Sequence, residues 1–283
     1  MVTDVKEREV VITAKNNPLD LNLAELWHYR DLILLFVKRN YSTRYKQTIL
    51  GPLWLLLNPL ISTTLYIVIF TSVAHLPTDN IDALAFYLSG SIIWSLFSAC
   101  LNQTSGTFLA NAGIMGKVYF PRLVMPISTV LTALLDFVVQ FGLLFVLAIV
   151  QVIRGEIYNP NAFVLLIPLI VLQLGLLGLG FGIIISSLTT KYRDLTILVG
   201  FGLRLWMYLC PVVYSSSLIP EQYMGLYLLN PVTPSLMIFR YAIYGSGYAP
   251  LKMWGVSWGV TLIILMIGVI TFNKVEKTFM DTV

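Results

Sequence analysis

The sequence predicts an all-α membrane protein with six transmembrane helices and both termini in the cytoplasm. Three observations carry that expectation. The chain is 57% hydrophobic and 11% charged, with a mean hydropathy of +0.81, whereas soluble domains carry about 25% charged residues. Four cations (Lys38, Arg39, Arg44 and Lys46) precede a run with no charge of either sign until Asp79. Such a cluster marks where a chain leaves the cytoplasm and enters a bilayer. The basic residues are also sorted by side. With both ends inside, fourteen lysines and arginines fall on the cytoplasmic face against three (Arg154, Arg240 and Lys252) on the other, with Arg204 inside a span. That is a strong positive-inside bias.

Taken in order, residues 1–22 read as a polar tail without the apolar core of a signal peptide. A helix is expected over 23–37, with Asn22 as cap and Glu25 three residues on. Its first half is amphipathic and its second, LILLFV, is apolar all round but too short to span. It suits the membrane interface, or alternatively a soluble helix packed on a partner. Spans are expected at 52–74, 84–106, 124–153, 162–189, 195–216 and 252–273, each about 20 apolar residues long. Gly51-Pro52 opens the first, since proline is tolerated in a first helical turn. Asn58-Pro59 should break its hydrogen-bond ladder and free backbone groups that lipid cannot satisfy. Residues 217–251 are too apolar for an outside loop and, with Pro220, Pro231 and Pro234, too interrupted for a span. They read as a re-entrant pair of short helices near 219–229 and 235–245. The domain plan is a tail and interface helix (1–40), a membrane domain (41–276) and a cytoplasmic tail (277–283).

Polar residues inside a membrane are costly, so their registers are informative. Ser91, Ser95, Ser98 and Asn102 share one face of the second span, and Ser128, Thr132, Asp136 and Gln140 form an i+4 stripe on the third. With Asn58 and Arg204 these are candidates for a translocation path, or for polar contacts that hold helices together. Asp136 has three solutions: protonation, pairing with Arg204, or a hydrated path. Gly175, Gly178 and Gly182 on the fourth span, continued by Ser186, point to close helix packing and no site. Aromatics gather between Trp206 and Trp258. Among them Tyr208, Tyr214, Tyr223 and Tyr227 could line an exit for sugars, although most such residues belong to interfacial belts.

The chain carries no phosphate-loop motif, no H-E-x-x-H and no Cys/His cluster with metal spacing. Cys100 and Cys210 lie in apolar runs, and His28 and His75 stand alone. Neither an active site nor a nucleic-acid partner is expected, and the net charge of +4 follows membrane topology.

Three segments, YSTRYKQTILGPLWLLLNPL (41–60), KYRDL (191–195) and NPVTPSLMIFRYAIYG (230–245), resemble the polysaccharide branch of the type-2 ABC exporter permeases. The first and third are fairly specific, and the likeness covers nearly the whole chain. The resemblance implies a bacterial inner-membrane, multi-pass half-transporter that forms a homodimer and binds two copies of a separate ATPase subunit. ATP and Mg would be bound by that partner, and the chain itself would hold no cofactor. The substrate implied is a lipid-linked glycan of O-antigen, capsule or teichoic-acid type; a drug or small-lipid exporter would share the fold. Coupling to the ATPase is expected around Gly113, Lys117, Tyr119 and Pro121, and at Lys191, Arg193 and Asp194.

Overall fold

The computed structural model describes residues 23–46, 48–115, 120–153, 160–189, 192 and 194–279, and among these there is no strand. The order is α1 (Leu23–His28), α2 (Arg30–Tyr45), α3 (Trp54–Tyr66), α4 (Ala83–Ser105), α5 (Thr107–Met115), α6 (Val124–Ile153), α7 (Ile167–Thr189), α8 (Leu195–Tyr208), α9 (Glu221–Leu228), α10 (Thr233–Tyr244) and α11 (Leu251–Phe279). Among the described residues, five stretches are long and apolar enough to cross a membrane: 51–73, 83–105, 124–153, 162–189 and 251–274.

The helix expected over 23–37 is in fact two. A break at Tyr29 (φ −89°, ψ 18°) separates α1 from α2, which continues eight residues past Val37 to Tyr45. Its basic end stays helical because the side chains there have partners. Arg39 donates to Asn111 Oδ1 at 2.8 Å, and Arg44 donates to Asp136. The buried face of α2 is Ile33, Phe36 and Val37, with Phe36 against Phe120 at 5.8 Å between ring centres. The proposed Asn22 cap and both tails lie outside the described residues.

A 3-10 turn (Gly51–Leu53) leads into α3, and Gly51 takes the left-handed φ of +49° that only glycine adopts freely. The ladder is interrupted at Asn58-Pro59 as expected, but the helix is not broken there: α3 runs through Pro59 to Tyr66 and then widens into a π-helical turn over Ile67–Val73. Proline removes one N–H, so one carbonyl four residues back, Leu55, loses its intrahelical donor. Gln140 Nε2 of α6 donates to that carbonyl at 3.4 Å. The helix survives because a neighbour supplies the missing bond.

The centre of the molecule is α4. Asp82 caps it by accepting from the Ala85 N–H at 3.2 Å, and most of its side chains are buried. It packs against α7 at two glycines where a side chain has no room. A Cβ on Gly178 would lie 2.5 Å from Cys100 Cβ, and one on Gly182 would lie 2.4 Å from Thr104 Cβ. On the other side of α7, Gly180 meets α11 at Gly268. Small residues thus bring three helices into one close layer, as expected from the spacing in α7.

The span expected at 195–216 is shorter than predicted. As a helix, α8 has 14 residues, about 21 Å long against a hydrocarbon core of ~30 Å. It ends at Tyr208 before a turn containing Pro211, which cannot continue a helix. Two short helices follow, α9 and α10, near the positions expected for the pair, and Gly245 closes α10 with φ +66°.

Arg240 of α10 was counted on sequence grounds as an outside charge; in the fold it is buried. Its guanidinium donates to the carbonyls of Phe86, Pro211 and Val212 and sits 3.6 Å from the centre of the Phe86 ring, a cation–π contact. Gly90 makes room for it, since a Cβ there would lie 2.5 Å from Arg240 Nη2.

Candidate functional site

A polar cavity of about 550 Å³ opens between α3, α4 and α6, with the end of α2 closing one side and Met207 of α8 and Val212 the other. The periodicities explain why it is polar. One face of α4 supplies Ser91, Ser95, Ser98 and Gln103, one face of α6 supplies Asp136 and Gln140, and α3 supplies Asn58 and Ser62. Trp54, Tyr66 and Trp94 add aromatic faces.

The charges in this cavity are organised by α2. Arg44 Nη1 donates to Asp136 Oδ2, and Tyr45 Oη donates to Asp136 Oδ1 at 3.4 Å. Burial pushes the Tyr45 phenol above its ordinary value, with Arg44 pulling it back, so the group stays protonated and able to donate. Asp136 is only 7% exposed, and a buried carboxylate needs such partners. The pairing with Arg204 suggested by the sequence is not made: Arg204 lies exposed on α8.

The stripe on α6 divides into two halves. Ser128 and Thr132 turn their hydroxyls back to their own helix, donating to the carbonyls of Met125 and Ser128 at 2.7 Å each. Asp136 and Gln140 point across to α2 and α3. On α4, Ser98 donates to the Ser95 carbonyl at 3.2 Å, while the Ser91 hydroxyl is buried with no partner among the described residues. Such a group favours an occupant that can hydrogen-bond.

Of the sequence-derived path candidates, the fold brings together Asn58, Ser91, Ser95, Ser98, Asp136 and Gln140. Thr132 is buried beside them in α6, Asn102 is exposed and outside the lining, and Arg204 and Tyr208 are exposed on α8. Tyr214 and Tyr227 sit apart and bond each other, Tyr227 donating to Tyr214 at 3.2 Å and Tyr214 to the Tyr208 carbonyl at 3.0 Å. Tyr223 is exposed on α9. Among the lining residues that escaped the sequence reading are Arg44, Tyr45, Ser62 and Gln103. On α4 the face holds for Ser91, Ser95 and Ser98, and only its last member differs, Gln103 in place of Asn102; nothing in the sequence linked Arg44 to Asp136.

Of the coupling candidates, Gly113 is exposed near the end of α5, Pro121 is half-buried before α6, and Asp194 is exposed at the start of α8. Lys117, Tyr119, Lys191 and Arg193 lie outside the described residues. Among the described residues, no three His, Cys, Asp or Glu side chains gather as a metal site would require.

Residues 31–244 match the family model described as ABC-2 type transporter. The chain is 28% identical over 251 residues to an O-antigen export system permease protein RfbA of Klebsiella pneumoniae, covering 89% of this chain and 94% of that one. It is 32% identical over 225 residues to the protein of the same name in Myxococcus xanthus, covering 78% and 82% respectively. It is also 26% identical over 253 residues to the polysialic acid transport protein KpsM of Escherichia coli, covering 86% and 93%.

Proposed function

This chain belongs to the ABC-2 type transporter family, and we propose that it is the membrane subunit of an exporter that moves a lipid-linked polysaccharide out of the cytoplasm. The observation that carries the reading is the similarity, over 78% to 89% of the chain, to permeases named for O-antigen export and polysialic acid transport. It is supported by a membrane-depth cavity whose hydroxyl, amide and aromatic lining suits a sugar polymer.

In this proposal two copies of the chain face each other across their polar cavities. The poorly buried helices α3 and α8 suit that role: α3 exposes Trp54, Ile61 and Leu65, and α8 exposes Ile197, Phe201 and Arg204. A charged side chain in lipid costs about 2.5–3.5 kcal/mol, so Arg204 favours a protein- or water-facing side. The short α8 would complete a sixth crossing with α9 and α10 as a re-entrant pair at the outer leaflet, and both termini would be cytoplasmic. The glycan would then follow Asn58, the α4 serines, Asp136 and Gln140, leaving past Tyr208, Tyr214, Tyr223 and Tyr227. A separate ATPase would supply power through the segments around Gly113–Pro121 and Lys191–Asp194.

The test is an export assay paired with an ATPase assay. Cells lacking the chain should accumulate glycan inside, and the wild-type gene should restore it to the surface. The purified chain alone should hydrolyse no ATP, and activity should appear only with a copurifying ATPase subunit. Normal surface glycan in the deletion strain would overturn the proposal.

A further inference from the structure

The two helices after α8 are fastened in different ways. Ten of the twelve residues of α10 are buried, but of the eight in α9 only Leu228 is. A segment with few buried contacts is among the first to open, so α9 depends on its ends. Past its last turn, Asn230 is fixed four ways. Its Oδ1 accepts from Trp206 Nε1 at 3.1 Å and from the Val232 N–H at 3.2 Å. Its Nδ2 donates to the Leu209 carbonyl and to Cys210 Sγ, both at 3.1 Å. Ahead of α9 the fastening is one carboxylate: Ser215 and Ser217 both donate to Asp79, Ser217 at 3.0 Å.

The loop before α4 is shaped to present that carboxylate. Asp79 and Asn80 hold left-handed φ angles of +54° and +59°, a region that Asp and Asn tolerate better than most residues. Thr78 Oγ1 donates to the Ile81 carbonyl at 2.7 Å, the Ile81 N–H donates back to the Thr78 carbonyl at 3.0 Å, and Ile81 is buried. Ser246, just past α10, donates to the main-chain carbonyl of Asp79. One residue thus holds the chain ahead of α9 by its side chain and the chain behind α10 by its backbone.

These two grips are not equal. Ser217 is exposed, so water can take its place on the carboxylate. Behind the other grip α10 has further anchors: Arg240, and Asn161, whose Nδ2 donates to the Tyr241 carbonyl at 2.9 Å. The turn to which α9 is tied contains Leu209, Cys210 and Tyr214. It runs past Met207 and Val212, the residues that close one side of the polar cavity. In the orientation proposed above, that side faces outward.

We propose that Asp79 is the latch of the cavity's outer mouth: once Ser215 and Ser217 are released, α9 turns about Asn230 while α10 stays docked. The inference rests on the membrane orientation and not on the glycan as cargo.

Hydrogen–deuterium exchange of the full chain in lipid nanodiscs tests it. Asp79→Gly removes the carboxylate and keeps a backbone that adopts the left-handed φ freely. Amides of 218–228 should exchange about tenfold faster, the effect of losing one hydrogen bond to a charged group, and those of 234–244 should stay within about twofold of wild type. Ser215→Ala combined with Ser217→Ala leaves the loop before α4 untouched and should give the same result, even if Asp79→Gly does not fold. All three changes together should add nothing further, because they break one contact. Glu221→Gln, an exposed charge on α9, should behave like wild type. A cysteine at Ser95 in the cavity should react about fivefold faster with an impermeant maleimide applied from outside when the latch is removed, the native Cys100 and Cys210 being buried. Unchanged exchange in α9 would overturn the latch, and so would equal acceleration in α9 and α10, the mark of a residue that only stabilises the fold. A loosened α9 with unchanged labelling at Ser95 would overturn its place at the mouth. None of these measurements uses the glycan, so this proposal and the export proposal fail separately.

Discussion

At the residue scale, the contact on which most depends is between Asp136 and Arg44, 92 positions apart in the chain. Removing either partner leaves the other charge stranded, and Asp136 is the more deeply buried of the two. Arg44→Gln and Asp136→Asn should therefore each destabilise the protein by about 1–3 kcal/mol, the cost of an unsatisfied buried group. The double variant should recover part of that loss, measured as thermal unfolding in detergent. Arg204→Gln should behave like wild type in the same assay. Strictly additive losses in the Arg44/Asp136 pair would show that the two side chains do not depend on each other.

Elements bring glycine into play. Gly182→Val should prevent α7 from docking on α4, because its Cβ would fall 2.4 Å from Thr104 Cβ and 3.0 Å from the Leu101 carbonyl. Gly142→Ala, on an open face of α6 with no heavy atom within 4 Å of the added carbon, should fold normally. Fluorescence size-exclusion profiles would distinguish them, and a monodisperse Gly182→Val protein would contradict the packing described. This packing was legible beforehand because i+4 spacing of small residues specifies a face. The span boundaries were legible too, since a run of apolar residues ends where charge begins. The end of α8 was less so: Pro211 marked it, but the apolar residues on both sides concealed the turn. The cavity could be read only by halves. Register shows which residues share a face, as for Ser91 and Ser95 or Asp136 and Gln140, but not which faces meet. Arg44 was read as a topological charge, and no periodicity connects α2 to the middle of α6. Arg240 was hidden for the same reason, because its partners are backbone carbonyls and carry no signature in a sequence.

For the whole molecule, the number of crossings decides where the ends lie. Five long spans alone would leave the segment before Gly51 and the end of α11 on opposite sides; α8 as a sixth crossing would bring them together. Cysteines at Thr48 and Lys274 should thus resist an impermeant maleimide applied from outside, while one at Thr78, between the first two spans, should react. Labelling at Lys274 together with Thr78 would mean that α8 does not complete a crossing. The architecture also sets where such a molecule can move. Arg240 ties α4, α10 and the turn after α8 through three main-chain oxygens at once, and its guanidinium is buried, so leaving would strand a charge away from water. At the other end of the cavity, α2 is held to α6 through two side chains, Arg44 and Tyr45, that can swing away. The protein is thus built like a vice with one fixed jaw. A widening of the cavity is expected to come from the α2 and α3 side sliding over α6, with the α4–α10 corner travelling as a single piece.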